Sequence, residues 1–203
     1  MKIESIVFAV AGMCFGIILG WVIGAQQASR TVAAPSAAAA PAAGGGADRQ
    51  PPALDEAKVQ SLTTILQNDP KNAGAALQLA NTYFDAERYD DAIKWYEESL
   101  KLDPKNPDAS TDLGVSYYYA GQVDRALQQF DNSLKIDPRH TKTMLNQGIV
   151  LAFGKQDLAG AEAVWKQVVE IAPDSPEGQA ARRAIETMAG AGHPPATPAT
   201  PGS

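Results

Sequence analysis

The side chains that could do chemistry are few and far apart. The chain has two histidines, His140 and His193, and one cysteine, Cys14, which lies in an apolar stretch. Neither histidine has a second ligand or base at the spacing that a metal site or a nucleophile needs. Adjacent acids such as Asp90 and Asp91 fit the solvated start of a helix, where the helix dipole favours negative charge. The sequence therefore predicts no enzyme activity, no metal and no cofactor.

The charge balance limits the choice of partner. The chain contains 17 Lys and Arg residues against 23 Asp and Glu residues, which gives a net charge of −6 and a pI near 4.9. Binding to nucleic acid depends on a basic surface, so nucleic acid is not an expected partner. Residues 54–188 alone hold 14 basic and 21 acidic residues, a net charge of −7. This excess favours a basic or a neutral apolar partner segment.

The sequence repeats with a period of about 34 residues, and the helices that this repeat predicts would position any binding residues. Prolines 70, 104, 138 and 173 are separated by 34, 34 and 35 residues. Two further sets of residues keep the same phase. The first set is Leu79-Ala80 with Tyr83, Leu113-Gly114 with Tyr117, and Gln147-Gly148 with Leu151; the second is Ala92 with Tyr96, Ala126 with Phe130, and Ala161 with Trp165. Apolar residues recur within each unit at three- and four-residue intervals, which predicts two helices per unit.

This pattern resembles the tetratricopeptide repeat, and the resemblance extends from Leu54 to Met188. It implies an all-α solenoid of helical hairpins at residues 54–189, with eight helices stacked in a right-handed arc. Three full repeats are expected at residues 73–106, 107–140 and 141–175, preceded by a half repeat and followed by a capping helix at 176–189. We expect the small residues of each hairpin to face one another and the aromatic residues to fill the core.

The third unit has one residue more than the others between Gly148 and Ala161. We expect the turn around Gly154 to Asp157 to absorb it. In the capping helix, Ala180, Ala184, Ile185 and Met188 are expected to face inward, with a polar outer face that keeps the end of the array soluble.

An apolar run, Ser5 to Ala25, follows a short N-terminal segment of residues 1–4. Its 21 residues are long enough to cross a bilayer as a helix, and longer than the apolar part of a signal peptide. We therefore expect an uncleaved single-pass anchor. Residues 26–53 and 190–203 are rich in Ala, Pro and Gly and are predicted to be a disordered linker and tail.

Four glycines of this run, Gly12, Gly16, Gly20 and Gly24, recur at every fourth position. This spacing is typical of a transmembrane packing face, so a homo-oligomer is one expected state. The basic residues on the two sides of the run are nearly balanced. We expect a bacterial inner-membrane protein with its repeats in the periplasm.

Binding residues are expected on the first helix of each hairpin, which the resemblance places on the concave face. The candidates that lie off the core stripe are Asn81 and Asp85 in the first unit, Thr111, Val115, Tyr118 and Tyr119 in the second, and Lys142, Asn146, Ile149 and Phe153 in the third. Some members of the family hold a C-terminal carboxylate with cations and amides at matching positions. Here Leu77, Asp112 and Asn146 occupy three of those positions, so a carboxylate clamp is not expected.

The sequence favours an anchored adaptor that binds a protein or peptide ligand in its groove. Two alternatives stay open. One is an assembly factor of the cytochrome c biogenesis type, and the other is a structural scaffold that self-assembles at a membrane.

Overall fold

The computed structural model describes residues 51–191, which form eight helices and no strand. In chain order the helices are α1 (Glu56–Asn68), α2 (Ala73–Asp85), α3 (Tyr89–Leu102), α4 (Pro107–Tyr119), α5 (Val123–Ile136), α6 (Thr141–Ile149), α7 (Leu158–Ile171) and α8 (Pro176–Ala191). A π-helix, Val150–Gly154, continues directly from α6.

The predicted membrane helix at residues 5–25, with its glycine face, lies outside the described residues, as do most of the predicted linker and tail. Within residues 51–191, none of the helices combines the length and the apolarity that a membrane crossing requires. Residues 51–55 precede α1 and are irregular. The last helix ends at Ala191, two residues beyond the end expected for the capping helix.

The helices pair into three hairpins, α2 with α3, α4 with α5, and α6 with α7, and α1 and α8 stack on the two ends. Similar turns lead into the first helix of each hairpin and into α8. The side chains of Asn72, Asn106 and Ser175 each accept a hydrogen bond from a backbone N–H three residues later, at 2.9, 3.0 and 3.0 Å. These caps satisfy amides that a helix N-terminus leaves unpaired. His140 occupies the equivalent position before α6 and makes no such bond.

The interior of each hairpin is built from the small and aromatic residues of the repeated pattern. Ala80 and Ala92 are fully buried in the first hairpin, and Phe130 is fully buried in the second. A Cβ atom on Gly114 would lie only 2.5 Å from the ring of Phe130. In the third hairpin Trp165 packs against Gly148 just as closely. The aromatic core is therefore confirmed, and the side chains nearest to Gly114 and Gly148 are its aromatic rings.

The extra residue of the third unit lies in the helix and not in the turn, which corrects the sequence-based expectation. Each turn contains one residue with positive φ: Glu87, Gly121 and Gln156. This residue precedes the buried alanine of the next helix by five positions in all three hairpins, but it follows the small residue of the first helix by seven, seven and eight positions. The π-helix at Val150–Gly154 holds the additional residue, because wider turns of this kind accommodate an insertion.

The first helices of the hairpins lie on the inner side of the stack. Helix α4 contacts α6, and α6 contacts α8, while α2 meets α4 through the rings of Phe84 and Tyr119, whose centroids are 5.9 Å apart. Within residues 51–191, no backbone contact comparable to that of α4 with α6 joins α2 to α4 or joins successive second helices. Helices that touch along the array are those on its inside. The surface formed by α2, α4 and α6 is called the inner face below.

The two ends of the array carry cations at positions where the hairpins hold alanine or glycine. Lys58 in α1 lies 12 residues before its proline, as Ala92, Ala126 and Ala161 do. Arg183 in α8 lies ten residues after its proline, as Gly114 and Gly148 do. Both cations are exposed. In α8 the inward residues Ala180 and Ala184 are buried as expected, and Ala181 is buried with them.

Candidate protein-binding face

The inner face exists because each first helix turns its core stripe toward its partner helix and leaves a second stripe uncovered. In the first unit this stripe carries Asn81 and Asp85. The Tyr96 hydroxyl donates a hydrogen bond of 2.6 Å to Asn81 Oδ1, so α3 fixes the Asn81 side chain. Asp85 is the last residue of α2 and is exposed.

In the second unit the four predicted residues separate into different environments. Val115 is half-buried on the inner face. Thr111 has no exposed surface, so the structure places it inside the array and not on a binding surface. The equivalent positions hold Leu77 and Leu145, and this repetition of leucine was the signal in the sequence that the site is internal.

The two tyrosines at the end of α4 lie against neighbouring units. The ring of Tyr119 stacks on Tyr89 with centroids 4.9 Å apart, and it meets the edge of Phe84 at 5.9 Å. Tyr118 contacts Tyr119 and lies beside Gly154 of the third unit. Burial raises the pKa of Tyr118 and of Tyr119 above the usual range for a phenol. These rings therefore join adjacent units, and their remaining half-exposed surface borders the inner face.

In the third unit the predicted residues are mostly enclosed. Ile149 is 2% exposed and Asn146 is 5% exposed, and the Asn146 amide donates to the Lys142 carbonyl at 2.8 Å. Phe153 lies within the π-helix. Counted back from the turn, it corresponds to Phe84 and not to Asp85, so the insertion moves it to a packing position. The structure thus brings four of the ten candidates to the accessible inner face without giving them a role in aromatic packing. These four are Asn81, Asp85, Val115 and Lys142.

A polar cluster joins the second and third units. Lys142 Nζ lies 2.8 Å from Asp112 Oδ1 and 3.4 Å from Asp108 Oδ1, and His140 Nε2 lies 3.5 Å from the same Asp108 atom. Burial alone would lower the pKa of Lys142, but Asp112 and Asp108 raise it. The hydrogen bond from His140 lowers the pKa of Asp108 to about 2. Burial raises the pKa of Asp112, and Lys142 opposes that shift.

Behind this cluster lies a group of buried hydroxyls that sequence reasoning missed. Thr143 Oγ1 lies 2.6 Å from Thr111 Oγ1, 2.8 Å from Ser133 Oγ and 2.6 Å from His140 Nδ1. Thr111 and Ser133 both donate to the Pro107 carbonyl, at 2.7 and 2.9 Å. The group satisfies polar atoms that would otherwise be costly to bury. His140, which cannot cap α6 as asparagine caps the other first helices, holds this network instead.

The geometry does not suggest catalysis. The hydroxyls are enclosed, and the carboxylates of the polar cluster are engaged with cations. Among the residues that the structure describes, no grouping of His, Cys, Asp or Glu could hold a metal ion. What the inner face offers is a surface that combines a half-buried valine with amide, carboxylate and aromatic groups.

The fold is a solenoid of stacked helical hairpins. The family comparison makes the class specific, because the profile described as TPR repeat matches residues 80–119 and the profile described as tetratricopeptide repeat matches residues 111–176. Residues 80–176 therefore form tetratricopeptide repeats.

Three solved structures illustrate proteins with the same fold. MamA is 16% identical, with 65% of this chain and 85% of MamA covered and a TM-score of 0.53. The first repeat domain of Spaghetti (RPAP3), solved with the HSP90 peptide SRMEEVD, is 24% identical over 60% of this chain and 96% of that domain, with a TM-score of 0.51. The Yersinia enterocolitica translocator chaperone SycD is 20% identical over 60% and 95%, with a TM-score of 0.55. These likenesses establish the fold. No curated protein matches the sequence.

Proposed function

We propose that the protein is an adaptor that binds a segment of a partner protein on its inner face. The observation that carries this proposal is the continuity of that face. Helix α4 packs against α6, the rings of Phe84 and Tyr119 join α2 to α4, and the uncovered residues of these three helices lie along one side of the stack. Solenoids of stacked repeats use extended surfaces of this kind for binding.

The related structures support an interaction role without naming the partner. The RPAP3 domain was solved with a bound peptide, and SycD is described as a chaperone. Proteins of this repeat class are typically scaffolds or chaperones and not enzymes. Lys142, the one inner-face cation among α2, α4 and α6, is already paired with two carboxylates. This pairing disfavours a carboxylate clamp, since a peptide carboxylate would have to compete with Asp108 and Asp112.

The proposal includes a membrane anchor at residues 5–25, supported by the uncharged apolar run alone. Under this proposal the repeats are held near a membrane in the bacterial periplasm, by a linker that gives them room to reach a partner. Fractionation tests this part, because removal of residues 1–30 should move the protein from the membrane to the soluble fraction. A cysteine placed at the exposed Gln128 should react with a membrane-impermeant maleimide once the outer membrane is opened. Retention in the membrane, or protection of that cysteine, would reject the anchor or its orientation.

Self-assembly by end-to-end stacking is less favoured by the structure. Stacking two copies would bring Arg183 of one α8 against Lys58 of the next α1, at positions where the hairpins need alanine or glycine. Both size and like charge oppose that contact.

A photo-crosslinking amino acid tests the binding face in the full chain. It would replace Val115 on the inner face in one variant, and Val169 on α7 in the control variant, both of which are half-buried valines. We expect discrete covalent adducts with a partner protein from position 115 and none from position 169. Equal adducts from both positions, or adducts from 169 only, would reject the inner face as the binding surface.

A further inference from the structure

The charge of the inner face comes from four residues. Helices α2, α4 and α6 together contain only Asp85, Asp108, Asp112 and Lys142 as charged residues. Three carboxylates and one ammonium group leave the face with an excess of negative charge. All four lie on the first helices, which form the inner face.

The ammonium group of Lys142 is committed within the protein. Its contacts of 2.8 Å with Asp112 and 3.4 Å with Asp108 hold it between two carboxylates, and its side chain is 18% exposed. It neutralises at most one unit of the negative charge. A partner's acidic group would have to displace Asp108 or Asp112 to reach it, which would leave a carboxylate without its partner.

Asp85 supplies a carboxylate that lacks an ion pair among residues 51–191. Partial burial raises its pKa, while the charge of Lys58 acts in the opposite direction. Asp85 also ends α2, where the helix dipole adds negative potential and favours a cation over an anion. An approaching cation would therefore be stabilised at this point more than at an ordinary exposed aspartate.

The ends of α2 and α4 lie close together on the inner face, because the ring centroids of Phe84 and Tyr119 are 5.9 Å apart. Burial raises the pKa of the Tyr96 hydroxyl well above its usual range, and the negative charges of Asp112 and Asp85 raise it further. Both carboxylates thus act on the same phenol, whose hydroxyl is bonded to Asn81. Val115 lies one turn after Asp112 on α4 and adds apolar surface beside them.

We infer that the inner face between α2 and α4 docks a lysine- or arginine-bearing segment of a partner protein. The inference rests on the proposed function and adds the chemistry of the partner. The basic side chain pairs with Asp85, and the apolar part of the segment contacts Val115. Complementary charge of this kind raises the association rate and selects against acidic segments.

The test uses the full chain and three capped fluorescent peptides of equal length. The peptides share an Ala, Leu and Ser background and carry lysine, glutamine or glutamate at every third position. We expect the lysine peptide to bind most tightly and its affinity to fall as ionic strength rises, because salt screens charge interactions. Asp85→Asn should weaken the lysine peptide about three- to fivefold, as expected for a partly exposed ion pair.

Glu170→Gln serves as the matched control, since it removes one negative charge from an exposed site on α7, a second helix. It should leave the affinity unchanged. Equal binding of the glutamine or glutamate peptide, or equal weakening by Asp85→Asn and Glu170→Gln, would overturn the inference. If peptides bind regardless of charge and the crosslinks at position 115 persist, the inference fails while the proposed adaptor function stands.

Discussion

At the scale of single residues, the junction between the second and third units depends on His140. Asparagine caps the first helices of the first two units, but histidine occupies this position before α6 and bonds outward to Asp108 and inward to Thr143. The side chain therefore exchanges a local cap for contacts that join α4 to α6. The lowered pKa of Asp108 is one measurable result of that exchange.

We predict that Asp108 makes stability sensitive to acid. Its pKa is about 2 in the folded protein, against a usual value of 3.8. A lowered folded-state pKa stabilises the protein above the unfolded pKa, and this contribution is lost as the pH falls from about 4 to about 2. Because the Asp108 side chain is 61% exposed, we expect the contribution to stay below about 1 kcal/mol.

Urea unfolding of the protein and of Asp108→Asn, followed by circular dichroism across this pH range, measures the effect. The variant should be less stable at pH 5 to 7, and the two curves should converge near pH 2. A constant difference at every pH would show that the carboxylate charge is not the cause. Asp174→Asn, at an exposed site in the turn before α8, is the matched control and should change little.

Thr111 shows how far the sequence could predict the binding face. Helical phase alone placed Thr111 off the core stripe, and the leucines at the equivalent positions of the other units indicated the reverse. The structure confirms the indication from the leucines. Thr111 lies inside the array, where Thr143, Ser133 and the Pro107 carbonyl satisfy its hydroxyl. Such a network joins residues distant in sequence, so periodicity cannot reveal it.

At the scale of elements, the repeated spacing was enough to predict the hairpins. Small residues at fixed positions, such as Gly114 and Ala126, specify where two helices touch, and each proline specifies where a hairpin ends. The location of the insertion could not be predicted in the same way. The sequence shows that one residue is extra, but backbone hydrogen bonds such as Lys155 N–H to the Val150 carbonyl, at 3.1 Å, decide that the helix and not the turn holds it.

We predict that Gly114→Ala destabilises the second hairpin. The added methyl group would collide with the buried Phe130 ring, and overpacking of this kind typically costs about 1 to 3 kcal/mol. Part of the cost is offset by the better helix propensity of alanine, which is worth up to about 1 kcal/mol. The free energy of unfolding in urea provides the measurement.

Gly74→Ala is a matched control for this substitution. Gly74 is exposed in α2, and a Cβ atom there would meet only Asn72 Oδ1, at 3.5 Å. The control should be neutral or slightly stabilising. A Gly114→Ala protein as stable as the control would mean that the contact with Phe130 does not limit the approach of the two helices.

At the scale of the whole molecule, we expect the cations at the two ends of the array to prevent copies of the protein from stacking end to end. A stack that starts with a second helix and ends with a first helix could in principle continue, since α8 of one copy would complete a hairpin with α1 of another. Lys58 and Arg183 lie where such a hairpin needs small residues. We therefore expect them to oppose heterologous association, which would form filaments.

We predict that Lys58→Ala combined with Arg183→Gly promotes end-to-end association. These changes install the residues found at the equivalent positions of the second hairpin. Sedimentation velocity at rising concentration should show larger species for the double variant than for the unchanged protein under the same conditions. Lys101→Ala with Lys135→Ala removes the same charge from exposed sites on second helices and should not do so. Identical behaviour of both double variants would refute a capping role for the end cations.

The π-helix has a practical consequence for anyone who would lengthen or shorten this protein. Copying the third unit to another position in the array would also copy its additional residue. In a regular α-helix, one added residue would rotate everything that follows it by about 100°. The wider turn of the π-helix takes up that rotation, so that Phe153 returns to the packing position of Phe84, and a copied unit would keep its register only where the π-helix can form. The first and second units, which lack the insertion, can be copied without this requirement.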